Sequence, residues 1–125
     1  MAQYRIGKKF EFAASHQLVL LHPSHKCSRL HGHNYVVELT VTAPLGHEEL
    51  DGNGFVKDYG ELAPFKNYID TMLDHRHLND TLGDKATAEV LAQHLFDVAK
   101  RYLPDVQIYC VRVQETPNTF AEYYG

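Results

Sequence analysis

Two β-type runs follow one another before any helical periodicity appears, and this order most constrains what the chain can fold into. Phe10, Phe12 and Ala14 alternate with Lys9, Glu11 and Ala13, which predicts a first strand over about residues 4–14. A loop from His16 to Leu30, containing Pro23, leads to a second strand predicted over residues 31–42 and ending Val36-Val37-Glu38-Leu39-Thr40-Val41-Thr42. Pro44, Gly46, Gly52 and Gly54 then mark a long turn, and residues 55–58 form either a short strand or an extended lead-in. Helical spacing starts only here. Asp58 offers an N-cap, Leu62, Phe65, Ile69, Met72 and Leu73 recur at helical intervals, and Pro64 is tolerated in the first turn. Residues 74–80 leave that helix. A second helix is predicted over 87–102, with Thr87 as N-cap, Glu89 in its first turn and Pro104 beyond its end. Val106 to Glu115 is a β-branched strand, and residues 118–124 add a short one. The order β-β-α-α-β-β predicts an α+β fold, a four-stranded antiparallel sheet with two helices on one face. Its open edges and bare face invite self-association.

The 125 residues amount to one domain, residues 1–125, and 44% hydrophobic content suffices for an ordinary core. No run is long enough to cross a membrane. The start, Met1-Ala2-Gln3-Tyr4-Arg5-Ile6, lacks a signal-peptide layout, and two cysteines are too few for a disulfide framework, so a cytoplasmic protein with reduced thiols is expected. A net charge of −4 without a basic run argues against a nucleic-acid partner. A phosphorylated small molecule, needing only a few placed cations, stays open. Nine scattered histidines are the compositional oddity.

Residues two apart in a strand share a face, so His31 and His33 lie on one side, roughly 6.5 Å apart at the backbone. Two solvated strand histidines are the plain alternative. Against it stand Cys27, four residues upstream of His31, and His16, at the end of a strand that can pair with the second one. Three neutral imidazoles with one open position make a catalytic zinc arrangement. The spacing alone leaves His22, His25 and His47 as other third ligands. Cys27 is either a small buried hydrophobe or, beside His25, Lys26 and Arg29, a thiolate serving as ligand, nucleophile or base. Asp74 and His75 are either a solvated helix end or a pair in which Asp74 orients a proton-exchanging His75. Glu115, at a strand end, is either solvated or binds the two N–H donors of a guanidine-like ring edge. Cys110 is expected in the core, His77 on the surface, and His47 and His94 as solvated surface histidines.

Phe12-Ala13-Ala14-Ser15-His16, Cys27-x-x-x-His31-Gly32-His33-Asn34-Tyr35, Val56-x-Asp58-Tyr59, Leu73-Asp74-His75-x-x-Leu78-Asn79, Thr87-x-Glu89 and Glu115-Thr116 occur in one order across nearly the whole chain. Together they resemble the 6-pyruvoyl-tetrahydropterin synthase and 6-carboxytetrahydropterin synthase family. The resemblance implies a tunnelling fold, whose sheets close into barrels by oligomerisation, commonly a homohexamer of two trimers. It implies a Zn2+ held by His16, His31 and His33, a proton-transfer set of Cys27, Asp74 and His75, and a pterin pocket with Glu115 as anchor beside Thr87 and Glu89. Active sites would lie between subunits. The implied substrate is 7,8-dihydroneopterin triphosphate. The run from His25 to His31 and the segment from Leu73 to Asp80 look more like the bacterial carboxy enzyme of queuosine and other deazapurine biosynthesis than the pyruvoyl enzyme. A folate-serving branch typically carries Glu at the Cys27 position. Ala86, Ala88 and Gln114 depart from common family residues, which touches substrate contacts and not the metal site.

Overall fold

Bulky apolar side chains at every second position make the first two strands present one face to the helices. In the computed structural model, which describes residues 4–125, β1 spans Ile6–His16 and β2 spans His31–Thr42. The opening Met1 to Gln3, read above for its lack of a leader layout, lies outside the described residues. The two strands pair antiparallel from Ile6 opposite Val41 to His16 opposite His31. Phe10, Phe12 and Ala14 of β1 and Tyr35, Val37, Leu39 and Val41 of β2 are buried on one face.

β1 starts and ends two residues later than expected, and the later end is set by its partners. Ser15 and His16 pair with Gly32 and His31, while Ala14 and Ser15 pair in parallel with β3 (Arg76–His77). Two residues carry no alternation of their own, so β3 exists only through that pairing. With β4 (Gln107–Thr116) and β5 (Thr119–Tyr123) the sheet has five strands in the order β3-β1-β2-β4-β5, where four were expected.

Asp58 caps, but its oxygen accepts from the Gly60 N–H at 2.8 Å and so starts a 3-10 turn, Tyr59–Leu62, that runs into α1 (Ala63–Met72). Residues 55–58 form no strand. One unforeseen turn of helix, α2, spans Asn79–Leu82, and α3 spans Ala88–Tyr102. Thr87 caps α3 as expected, its hydroxyl accepting from the Val90 N–H at 3.2 Å. α1 packs over β1 and α3 over β4 and β5, so both helices cover one face. Their Phe65, Ile69, Leu91, Leu95 and Val98 meet the apolar side of the sheet. Each such side chain withdrawn from water contributes about 1.5–3 kcal/mol. No helix among the described residues is long and apolar enough to cross a membrane.

His94 is not a solvated surface histidine: it is half-buried between α1 and α3, with its Nε2 2.6 Å from the Tyr68 hydroxyl. Cys110 is buried as expected, opposite Thr40 in the β2–β4 pairing. An irregularity between Thr40 and Val41 shifts the β2–β4 register by one residue, which alternation alone cannot reveal.

Candidate active site

The register of β1 on β2 puts His16 opposite His31, and His33 opposite Ala14 two residues further along. All three rings therefore leave the same face at the end of the sheet. Their centroids are 4.5 Å (His16 to His31), 5.1 Å (His16 to His33) and 4.9 Å (His31 to His33) apart. One nitrogen from each falls within 4.8 Å of the other two. Gly32 faces the opposite side, where a Cβ would meet the Ala14 carbonyl oxygen at 3.3 Å, so glycine eases close pairing of the strands that carry the histidines.

Hydrogen bonds assign the ring protons. The Nδ1–H of His16 donates to the Ala86 carbonyl and that of His31 to the Arg29 carbonyl, each at 2.7 Å. In the neutral rings both Nε2 atoms are then lone pairs, and they face each other at 3.0 Å. The His33 Nε2 is buried with no hydrogen-bond partner among the described residues. Glu115 brings its two oxygens to 3.7 Å from His33 Nε2 and 3.9 Å from His16 Nε2. Burial holds the His33 pKa below the ordinary imidazole value, against the opposing pull of the Glu115 carboxylate. Converging lone pairs beside a carboxylate repel one another unless a cation sits among them. Backbone carbonyls holding the far Nδ1–H are the outer contacts that orient metal-binding imidazoles. The donor set fits a divalent metal of zinc's preference.

Cys27 lies outside this trio. It is half-buried on a 3-10 turn, Lys26–Ser28, with its N–H donating to His25 Nδ1 at 3.1 Å and its carbonyl accepting from the Leu18 N–H at 3.0 Å. Asp74 and His75 are brought together at the other flank of β1. The Asp74 Oδ1 accepts from the Ala13 N–H at 3.0 Å and lies 3.0 Å from His75 Nδ1. The Ala13 N–H first, then His75, holds the Asp74 carboxyl below its usual range. His75 adopts φ 59°, a conformation rare outside glycine, and its side chain is 82% exposed. It borders a cleft of about 450 Å³ together with Gly32, His33, Asn34 and Arg76. No hydrogen bond or ion pair among the described residues joins the Asp74–His75 pair to Cys27 or to the three histidines. Glu115, Thr87 and Glu89 do meet, around a second cleft of about 560 Å³ that Leu18 and Phe120 also line.

Ala86 and Arg29 act through backbone carbonyls, which leave no mark in a side-chain pattern, and sequence reasoning gave neither this role. The ring of Tyr35, one residue of the His31-to-Tyr35 motif, stacks on Phe12 at 5.1 Å and lies edge-on to His16 and His33, while its hydroxyl is buried with no hydrogen-bond partner among the described residues. Asn79 ties down the chain just beyond His16, accepting from the Gln17 N–H at 2.8 Å and donating to the Gln17 carbonyl at 2.7 Å. His77, expected on the surface, is half-buried and 3.0 Å from the Ser15 hydroxyl.

The sequence profile of the 6-pyruvoyl tetrahydropterin synthase family matches residues 5–125. A 6-carboxy-5,6,7,8-tetrahydropterin synthase of Synechocystis sp. is 34% identical, the match covering 96% of this chain and 92% of the relative. The 6-pyruvoyl tetrahydrobiopterin synthase of Homo sapiens is 32% identical over 98% of this chain and 92% of its own. The solved 6-pyruvoyl tetrahydropterin synthase of Caenorhabditis elegans superposes with a TM-score of 0.81 at 26% identity, covering 98% of this chain and 95% of the other. The backbone architecture is thus shared with a solved relative, and the chain is a member of the 6-pyruvoyl tetrahydropterin synthase family.

Proposed function

We propose that this protein is a zinc-dependent 6-carboxy-5,6,7,8-tetrahydropterin synthase, converting 7,8-dihydroneopterin triphosphate to 6-carboxytetrahydropterin, acetaldehyde and triphosphate in queuosine and other 7-deazapurine biosynthesis. The observation that carries the reading is the convergence of three imidazole nitrogens, two of them left as lone pairs because backbone carbonyls hold the proton of each ring on Nδ1. His16, His31 and His33 would hold the zinc. Bound there, the ion supplies Lewis acidity toward the side-chain hydroxyls of the substrate and acidifies the adjoining C–H groups.

The chain's own groups do the rest. Cys27, as thiolate, removes a side-chain proton. His75, oriented by Asp74, delivers protons elsewhere on the substrate. Moving protons from side chain to ring reduces the ring without an external reductant, and triphosphate leaves. Cleaving the resulting dicarbonyl side chain consumes one water and gives a carboxylate plus acetaldehyde. Glu115 accepts the paired N–H donors of the pterin's amino-pyrimidine edge, within the cleft that Thr87 and Glu89 line. That no hydrogen bond or ion pair joins Cys27 to Asp74–His75 among the described residues supports a site completed by a neighbouring subunit, in a homohexamer built from two trimeric barrels.

The pyruvoyl reaction, elimination without C–C cleavage, is the second reading, favoured by the 32% identity to the human protein. Incubating zinc-loaded protein with 7,8-dihydroneopterin triphosphate, and assaying acetaldehyde beside the pterin product, separates the two. Acetaldehyde with 6-carboxytetrahydropterin is expected. A 6-pyruvoyl product without acetaldehyde selects the other branch, and stoichiometric pterin binding without product makes the protein a carrier. Cys27→Ala is expected to abolish turnover with zinc still bound, and retained turnover would remove Cys27 from its assigned role.

A further inference from the structure

We propose that the turn from His22 to Arg29 is a polyphosphate-binding surface, placed to hold the triphosphate of a substrate whose carbon side chain reaches the three histidines. The choice of substrate rests on the pterin triphosphate reading above. The place rests on charge, proton positions and connectivity in this chain.

The chain carries 16 acidic residues, yet none lies between Glu11 and Glu38. Lys26 and Arg29 fall inside that gap, both exposed, and neither forms an ion pair among the described residues. Two histidines of the turn have their protons placed by the backbone. His22 Nδ1 accepts from the Ser24 N–H at 3.1 Å, and His25 Nδ1 accepts from the Cys27 N–H at 3.1 Å. A ring nitrogen that accepts carries the lone pair, so each neutral ring keeps its proton on Nε2, the atom farthest from the turn. The turn thus offers a guanidinium, an ammonium and two N–H donors within a stretch of sequence that carries no carboxylate. Arg supplies a planar fork suited to phosphate, and Lys a point charge.

Connectivity places this surface at one end of the site. The Arg29 carbonyl holds His31, and the Cys27 carbonyl holds the N–H of Leu18, which lines the Glu115 cleft. Arg29 is two residues from His31, so their Cα atoms lie within about 7 Å. A substrate bound by its inner hydroxyls at the histidines carries its first phosphate only a few bonds further on. Beyond Leu18 that cleft is lined by Glu89, Glu115 and Glu122, which repel phosphate and suit the N–H donors of a pterin. Polarity therefore orients the substrate, ring toward the carboxylates and phosphates toward Lys26 and Arg29.

The test is calorimetric binding of inorganic tripolyphosphate to the full chain, with zinc loaded and with zinc stripped, at two salt concentrations. Binding is expected in both forms and is expected to weaken with salt. In the double variant Lys26→Gln, Arg29→Gln the dissociation constant is expected to rise at least about tenfold, the scale of one lost charge-assisted contact. Lys66→Gln, on exposed α1, is expected to leave it unchanged, and thermal melting checks that each variant folds. With Arg29→Lys beside intact Lys26, an intermediate affinity is expected. Wild-type affinity in the double variant, binding that vanishes on zinc removal, or no binding by the wild type would each overturn the proposal. A tripolyphosphate site that depends on Lys26 and Arg29, in a protein that turns over no pterin triphosphate, would support the surface and refute the substrate reading.

Discussion

At the scale of single residues the chemistry follows from where protons are not. His16 and His31 each donate Nδ1–H to a carbonyl, and His33 Nε2 is buried with no hydrogen-bond partner among the described residues, so the three nitrogens converge as donors for a cation. A metal held there would bind the folded state, in which alone the three nitrogens meet. Zinc at 1,000 times its dissociation constant is therefore expected to stabilise the fold by about 4 kcal/mol, read as a rise in melting temperature that a chelator reverses. His16→Ala and His31→Ala are expected to lose that zinc-dependent rise, while His77→Ala keeps it. The Asp74–His75 pair belongs to the same scale. His75→Ala is expected to lower kcat by about 10²–10⁴ with zinc content unchanged, the range of a lost general acid–base group. Equal turnover in that variant would place the proton donor elsewhere.

At the scale of elements, pairing decides which side chains meet. A slip of one residue between β1 and β2 would move the histidines to the opposite face, so the apolar alternation of Phe10, Phe12, Tyr35 and Val37 is also what aims the site. That much was legible, because alternation and His-x-His share one period. β3 was not legible, since two residues have no period, nor was the tether from Asn79 to Gln17, which depends on a partner 62 positions away. The Ala86 and Arg29 carbonyls were invisible for a different reason: every residue has one. Thr87 was readable as a cap, and Thr87→Ala is expected to cost about 1 kcal/mol of stability, measured by denaturant unfolding. The α1–α3 contact carries a pH dependence. Burial holds the His94 pKa below 6.5, with its Nε2 2.6 Å from the Tyr68 hydroxyl. A depressed histidine leaves the unfolded state binding more protons, so its contribution is full above pH 6.5 and is lost as pH falls through the folded value. His94→Gln is expected to flatten that part of the melting temperature against pH between 7.5 and 5.5. An unchanged slope would assign the dependence to other groups.

At the scale of the whole molecule, the sheet ends in two unpaired edges, β3 and β5, and its helix-free face carries Lys9, Glu11, Asn34 and Glu38. Open edges and a polar bare face suit closure of several sheets around a wet interior. Sedimentation is expected to give six times the 14.3 kDa chain mass, and a monomer at working concentration would contradict a site shared between subunits. Everything in the functional account passes through the three histidines, and one titration addresses them directly. Metal-stripped protein is given zinc in steps, and turnover of 7,8-dihydroneopterin triphosphate is measured at each step. Turnover is expected to rise from near zero and level off at one zinc per chain. Full turnover in the stripped protein, or turnover indifferent to added zinc, would contradict a zinc-dependent reaction at these histidines.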